Sequence, residues 1–218
     1  MDLLAFLVDF ILNVDTHLET FVLNYGAWVY ALLFLIVFVE TGLVVMPFLP
    51  GDSLLFAAGA LAASSGAFNM WILVPLLIAA AVLGDAVNYA VGSAVGPRVF
   101  TAVDRTSWWH RLLNRNHLAQ AHAFFERYGG KAIVLGRFVP IVRTFVPFVA
   151  GAGTMTYGTF AFYNVAGGVI WVGICTIAGF AFGNVPIVRN NFTLVALGII
   201  AVSLLPMVVE FLRHRRAA

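Results

Sequence analysis

From Ala132 to Met155 the chain is apolar apart from two charges, Arg137 and Arg143. A charge at the bilayer centre costs about 2.5–3.5 kcal/mol on insertion scales. Two prolines, Pro140 and Pro147, interrupt the same stretch, and each removes a helical hydrogen-bond donor. Such a segment does not read as a plain spanning helix. It reads as a broken, re-entrant element holding two fixed positive charges at membrane depth. Charges so placed mark a functional site by default, and their sign suggests an anionic ligand.

The rest of the chain fits a membrane setting. Of 218 residues, 62 % are hydrophobic and 10 % charged, with mean hydropathy +0.97. Soluble domains carry about 25 % charged residues. Several apolar runs reach spanning length, so the sequence predicts an all-α polytopic membrane protein with one domain over 1–218. A net charge of only +2 gives no support to nucleic-acid binding. The single cysteine, Cys175, excludes an internal disulfide and reads as a small core residue. Asp2 stands where a signal peptide would carry positive charge, so no cleavable signal is expected.

Residues 3–24 are interrupted by Asp9, Asp15, His17 and Glu19 at roughly helical spacing. They predict an amphipathic N-terminal helix, with a short span as the rival reading. Residues 27–66 read as a first re-entrant hairpin. Its first arm contains Glu40, Met-Pro-Phe-Leu-Pro-Gly-Asp (46–52) breaks it, and Ser53–Ser65 forms a second arm too short for a core of about 30 Å. Residues 70–95 predict a span, with Asp85 inside. A basic loop over 97–131 holds six of the twelve Lys and Arg, and the tail adds Arg213, Arg215 and Arg216. The positive-inside rule makes both cytoplasmic. Within the loop, 117–128 predicts an amphipathic surface helix. Residues 132–156 form the second hairpin, and 157–183 and 192–212 two more spans. With span 70–95 ending inside, the two hairpins must open to opposite faces.

The halves echo each other. Pro47-x-x-Pro50 precedes Ala58-Gly59-Ala60, as Pro140-x-x-Arg143 precedes Ala150-Gly151-Ala152. Each leads into a span ending in Gly-x-x-x-Gly, Gly92 to Gly96 and Gly179 to Gly183. Inverted repeats with broken helices meeting near the midplane are a transporter arrangement. The expected fold is therefore an inverted repeat of two opposed re-entrant helical hairpins plus spanning helices.

Four charges lie at the predicted breaks: Glu40, Asp52, Arg137 and Arg143. Facing lipid, they would cost on the order of 10 kcal/mol together. Ionised, they sum to zero. A bland reading makes them salt bridges that pin the hairpins. It leaves unexplained why both hairpins break there and offer free backbone N–H groups to an anion. Arginine forks match phosphate oxygens two at a time. A phosphate arriving at Arg137 and Arg143 would displace their carboxylate partners, and a stranded buried carboxylate takes up a proton. Glu40 and Asp52 are thus expected to couple protons to phosphate binding. Asp85 and Asn88, one turn apart, line the site or pack helices, together with Pro47, Pro50, Gly51 and Pro140. Asn164 reads as an interhelical hydrogen bond. Trp108, Trp109 and Tyr128 read as an interface belt. His110, His117 and His122 lack metal-ligand spacing, so neither metal nor cofactor is expected.

These residues carry a family resemblance. Glu40-Thr-Gly, Pro47-Phe-Leu-Pro50-Gly51-Asp52-Ser53, Gly84-Asp85, Gly130-Lys131, Arg137-Phe-Val-Pro140-Ile-Val-Arg143-Thr and Ala150-Gly151 resemble the bacterial DedA family over nearly the whole chain. That family belongs to a wider group that includes eukaryotic lipid scramblases. The resemblance implies two opposed re-entrant hairpins and transport of lipids, including recycling of undecaprenyl phosphate across the cytoplasmic membrane. It also implies dependence on the proton gradient and roles in envelope integrity and cell division. The family's essential acidic pair falls on Glu40 and Asp52, and its essential arginine pair on Arg137 and Arg143.

The expected activity is a proton-dependent flippase for an anionic lipid phosphate, undecaprenyl phosphate or another phospholipid, in the bacterial inner membrane with a cytoplasmic C-terminus. A homodimer stays open. A lipid phosphatase is the enzymatic alternative, but no histidine lies near the breaks to serve it. A proton-coupled antiporter for small cations or drugs would use Glu40 and Asp52 yet give no reason for the arginines. A non-transporting assembly factor is a fourth class.

Overall fold

The computed structural model describes residues 26–43, 51–64, 68–101, 115–153, 155–186 and 188. Among them every regular element is an α-helix: α1 (Ala27–Gly42), α2 (Gly51–Ser64), α3 (Met70–Thr101), α4 (Arg115–Tyr128), α5 (Lys131–Gly136), α6 (Pro140–Ala152) and α7 (Tyr157–Gly183). The N-terminal segment 3–24, the hairpin turn with Pro47 and Pro50, Trp108, Trp109 and His110, the span 192–212 and the basic tail lie outside the described residues.

Among the described residues, two helices are long and apolar enough to cross a membrane, over Met70–Val95 and Tyr157–Gly183. Both exceed the roughly 20 residues a bilayer core requires. With 16 and 14 residues, α1 and α2 fall short of that length. The expected surface helix over 117–128 appears as α4. It presents His122, Glu126 and Arg127 outward and turns Phe124 and Phe125 onto the core. Gly129, at φ +55°, ends it, and the Gly129 N–H closes on the Phe125 carbonyl at 2.8 Å. A left-handed residue is the usual stop at this position.

The segment 132–156 is broken between α5 and α6. After α5, Arg137 and Phe138 form a turn, Val139 is extended (φ −112°, ψ 107°), and Pro140 opens α6. Proline disfavours the α conformation in the residue before it and fits the first helical turn, so Pro140 sets the break. Pro147, expected from the sequence to break the segment a second time, lies inside α6 without ending it. The helix loses only the donor that would close on the Arg143 carbonyl. The buried side chains Phe145, Val146, Phe148 and Val149 around Pro147 hold the helix in place.

Contacts divide the chain into two compact units, one of Met1–Leu32, Pro50–Val74 and Ile174–Ala218, the other of Leu33–Leu49 and Pro75–Gly173. In the second unit α6 packs on α4 and α5, and its core is built from Ile133, Phe145, Val146, Phe148, Val149 and Phe160. Tyr89 stacks on Phe160 with ring centroids 4.4 Å apart and donates to the Met155 carbonyl at 2.6 Å. Here α6 runs against α3 so closely that a Cβ at Gly151 would overlap the Tyr89 carbonyl, and one at Gly92 the Phe148 carbonyl. In the first unit, α2 meets the last turns of α7 in the same register. A Cβ at Gly59 would overlap the Thr176 carbonyl, and one at Gly179 the Phe56 carbonyl. In each pair the clashing carbonyl lies three residues before the opposing glycine. The Ala-Gly-Ala glycines, Gly59 and Gly151, and the first glycines of the Gly-x-x-x-Gly echoes, Gly179 and Gly92, are thus the two sides of one helix contact that occurs twice.

Candidate functional site

Glu40 lies in the last turn of α1, and α1 packs onto α3 at Gly84, where the Thr41 side chain occupies the space of an added Cβ. A Cβ at Gly42 would stand 3.4 Å from the Gly84 backbone, and one at Gly84 2.8 Å from the Phe38 carbonyl. Asp85 follows Gly84. Asn88, one turn on, is fully buried and donates to the Thr144 carbonyl at 2.7 Å and the Thr41 carbonyl at 3.2 Å. It thereby ties the end of α1 and the start of α6 to α3.

The two arginines enter this frame from either side of the break. Arg137, 5 % exposed, places Nη2 2.6 Å from Asp85 Oδ2 and 2.6 Å from Asn164 Oδ1. Arg143, on the first turn of α6, pairs with Glu40, whose side chain is fully buried. Each guanidinium also lies over the ring of Trp171, at 5.8 Å for Arg137 and 5.7 Å for Arg143. Thr41, Asp85, Arg137, Arg143, Thr144 and Trp171 line one cleft, with room for roughly one water molecule. Two buried ion pairs therefore neutralise four charges, as the cost of leaving them unpaired requires. Arg137 Nε has no acceptor among the described residues and lies against the α7 backbone at Gly167.

The structure brings together Glu40, Asp85, Asn88, Arg137 and Arg143. The carboxylate on Arg137 is Asp85, expected only as a wall of the site. Asn164, expected as a plain interhelical contact, is a direct partner of Arg137 and also donates to the Val82 carbonyl at 2.9 Å. Asp52 and Gly51 open α2 in the other unit, where Asp52 is exposed. Pro140 starts α6 at the break. Trp171, Thr41 and Thr144 were not singled out in the sequence. Trp171 carried a signal, because it stands midway along an apolar span where the interface cannot explain a tryptophan. Among the described residues no group of His, Cys, Asp or Glu could hold a metal ion.

Comparison with known proteins places the chain in a family. A profile described as the VTT domain matches residues 49–181. The chain is 53 % identical to Protein DedA of Escherichia coli strain K12, over 100 % of this chain and 98 % of that protein. It belongs to the DedA family of membrane proteins. Other DedA family relatives include an uncharacterized membrane protein of Mycobacterium leprae, 42 % identical over 80 % of this chain and 75 % of that protein. The inner membrane protein YghB of Escherichia coli strain K12 is 33 % identical over 84 % of this chain and 78 % of its own length. No solved structure matches the chain.

Proposed function

We propose that this DedA family protein translocates an anionic lipid phosphate, undecaprenyl phosphate or another phospholipid, across the bacterial inner membrane at the expense of the proton gradient. The observation that carries the reading is the pair Arg137 and Arg143. Both face one cleft, both lie over one tryptophan ring, and each is neutralised by a carboxylate. Two planar forks side by side suit the oxygens of a single phosphate. The cleft as it stands is too small for that phosphate, so entry requires the carboxylates to yield. Glu40 then takes the proton that its lost partner no longer makes unnecessary. The resemblance gives Asp52 the same task.

The two re-entrant hairpins of opposite orientation belong to this reading. It draws support from the shortness of α1 and α2, from the break at Arg137–Val139 and from the helix contact that occurs twice in one register. The cytoplasmic placement of the C-terminus rests on the basic loop and tail.

The test is a leaflet-resolved translocation assay in liposomes with purified protein. Undecaprenyl phosphate and a phosphodiester phospholipid are compared, with and without an imposed pH gradient. Movement of a lipid phosphate that collapses with the gradient is expected. No acceleration of either lipid over protein-free liposomes would overturn the reading.

A further inference from the structure

We infer that Asp85 is a second proton carrier of the site, trading its hold on Arg137 for a proton each time a phosphate takes that arginine. The inference rests on the lipid-phosphate reading above and adds a residue to it.

Arg137 has two partners of different kind. Asn164 is the fixed one. Its Nδ2 donates to the Val82 carbonyl at 2.9 Å and its Oδ1 accepts from Arg137 at 2.6 Å. A carboxamide does not change charge, so this contact persists whatever occupies the cleft. Asp85, one turn beyond Val82 on α3, is the exchangeable partner, and its side chain lines the cleft. The arginine itself has little room to leave. A Cβ at Gly167 would stand 3.1 Å from Arg137 Nε and 3.2 Å from its Cδ, so the side chain is pressed onto bare backbone of α7. When a phosphate binds, Arg137 therefore stays and Asp85 loses its partner.

Charge counting then calls for a second carrier. The charged groups facing Asp85 are Arg137 at the break and Arg143 on α6, with Glu40 of α1 held on Arg143. From α7 the facing groups are the uncharged Asn164 and Trp171. Two arginines and two carboxylates sum to zero. A phosphate monoester adds about −1.5 to −2 at neutral pH. One proton on Glu40 would leave the buried cluster negative by up to one charge, whereas a second proton on Asp85 restores neutrality. The proton comes from water on the side where the phosphate enters and adds to the Asp85 carboxylate, giving the neutral acid. It leaves when the phosphate departs and Arg137 regains the carboxylate.

The test uses the full-length protein in lipid nanodiscs with farnesyl monophosphate as probe. Calorimetric titration at one pH, in buffers of different ionisation enthalpy, counts protons taken up per bound probe. The probe's own protonation is common to all variants and cancels in differences. Asp85→Asn is expected to take up one proton fewer than wild type, Glu40→Gln one fewer, and the double variant two fewer. A purely structural Asp85 would leave the count unchanged, and an Asp85→Asn count equal to wild type overturns the inference while leaving the anion site standing. Failure of the wild type itself to bind the probe overturns the lipid-phosphate reading. A second measurement covers an Asp85→Asn protein that does not fold. In Glu40→Gln/Asp52→Asn protein, adding the probe must still produce a protonated-carboxyl stretch in the infrared difference spectrum, and its absence overturns the inference.

Discussion

Asp85 Oδ2 and Asn164 Oδ1 each lie 2.6 Å from the same nitrogen of Arg137. One is a charge and the other a dipole, and they come from different helices. The arginine is thus neutralised from α3 and oriented from α7, and the chain break at residues 137–139 delivers it between them. Arg143, six residues on, repeats the neutralisation with Glu40 and shares the Trp171 ring.

Lysine should fail at both positions. At Arg137 one nitrogen already serves two acceptors, and the planar group covers an aromatic face. An ammonium supplies a point charge without the fork or the flat surface. Arg137→Lys and Arg143→Lys are each expected to lower lipid-phosphate translocation at least about tenfold, a change of about 1.4 kcal/mol. Initial rates at matched protein level in liposomes check this. Wild-type rates in both variants would dismiss the two-fork site.

Trp171 should be required for a different reason. Its ring lies under both guanidinium groups and is 2 % exposed. Cation–π contacts reach about 2 kcal/mol when desolvated. Trp171→Leu is expected to cost roughly tenfold or more in translocation, and Trp171→Phe, which keeps an aromatic face, less. Equal rates for the two variants would show that the ring contributes bulk alone.

How far the site was legible follows from what each residue costs. Arg137, Arg143 and Glu40 stood out because a charge in an apolar run needs a reason. Asp85 and Asn88 stood out as a polar stripe on a span. Partner choice did not stand out, since Arg137 could have met any carboxylate, and the fold brings it to Asp85 of α3. Asn164 was undervalued because a lone asparagine in a span reads equally well as a packing hydrogen bond. The helices α3, α4 and α7 were legible from length and periodicity. Pro147 misled because burial on α6 outweighs one missing backbone bond.

The twice-used helix contact makes a stability prediction. At Gly59 and Gly151 an added methyl meets main-chain atoms, which cannot rotate away. Overpacking costs typically about 1–3 kcal/mol. Gly59→Ala and Gly151→Ala are therefore expected to lower the melting temperature in detergent by similar amounts. At Gly173 nothing lies within 4 Å of an added Cβ, and alanine gains helix propensity there of up to about 1 kcal/mol. Gly173→Ala should be neutral or stabilising. A melting temperature unchanged in Gly59→Ala and Gly151→Ala would deny the close approach.

The proton dependence should reside in carboxylates, Glu40 first. Glu40→Gln keeps the shape of a protonated acid and cannot release a proton, so its transport should lose part of its pH dependence. Asp52→Asn is expected to do the same. Phosphate binding by Glu40→Gln should hold or tighten, because the anion that competes for Arg143 is gone. If the pair were only a pin, the result would differ. Removing one partner of a buried pair costs about 3–5 kcal/mol, and Glu40→Gln would then fail to accumulate or to run as a monodisperse species. Binding and transport are measured against pH for protein of confirmed level and monodispersity. A flattened profile in folded Glu40→Gln protein is the expected outcome, with any residual slope assigned to Asp52 and Asp85. An unchanged profile in both single variants and in Glu40→Gln/Asp52→Asn would remove Glu40 and Asp52 from the proton path.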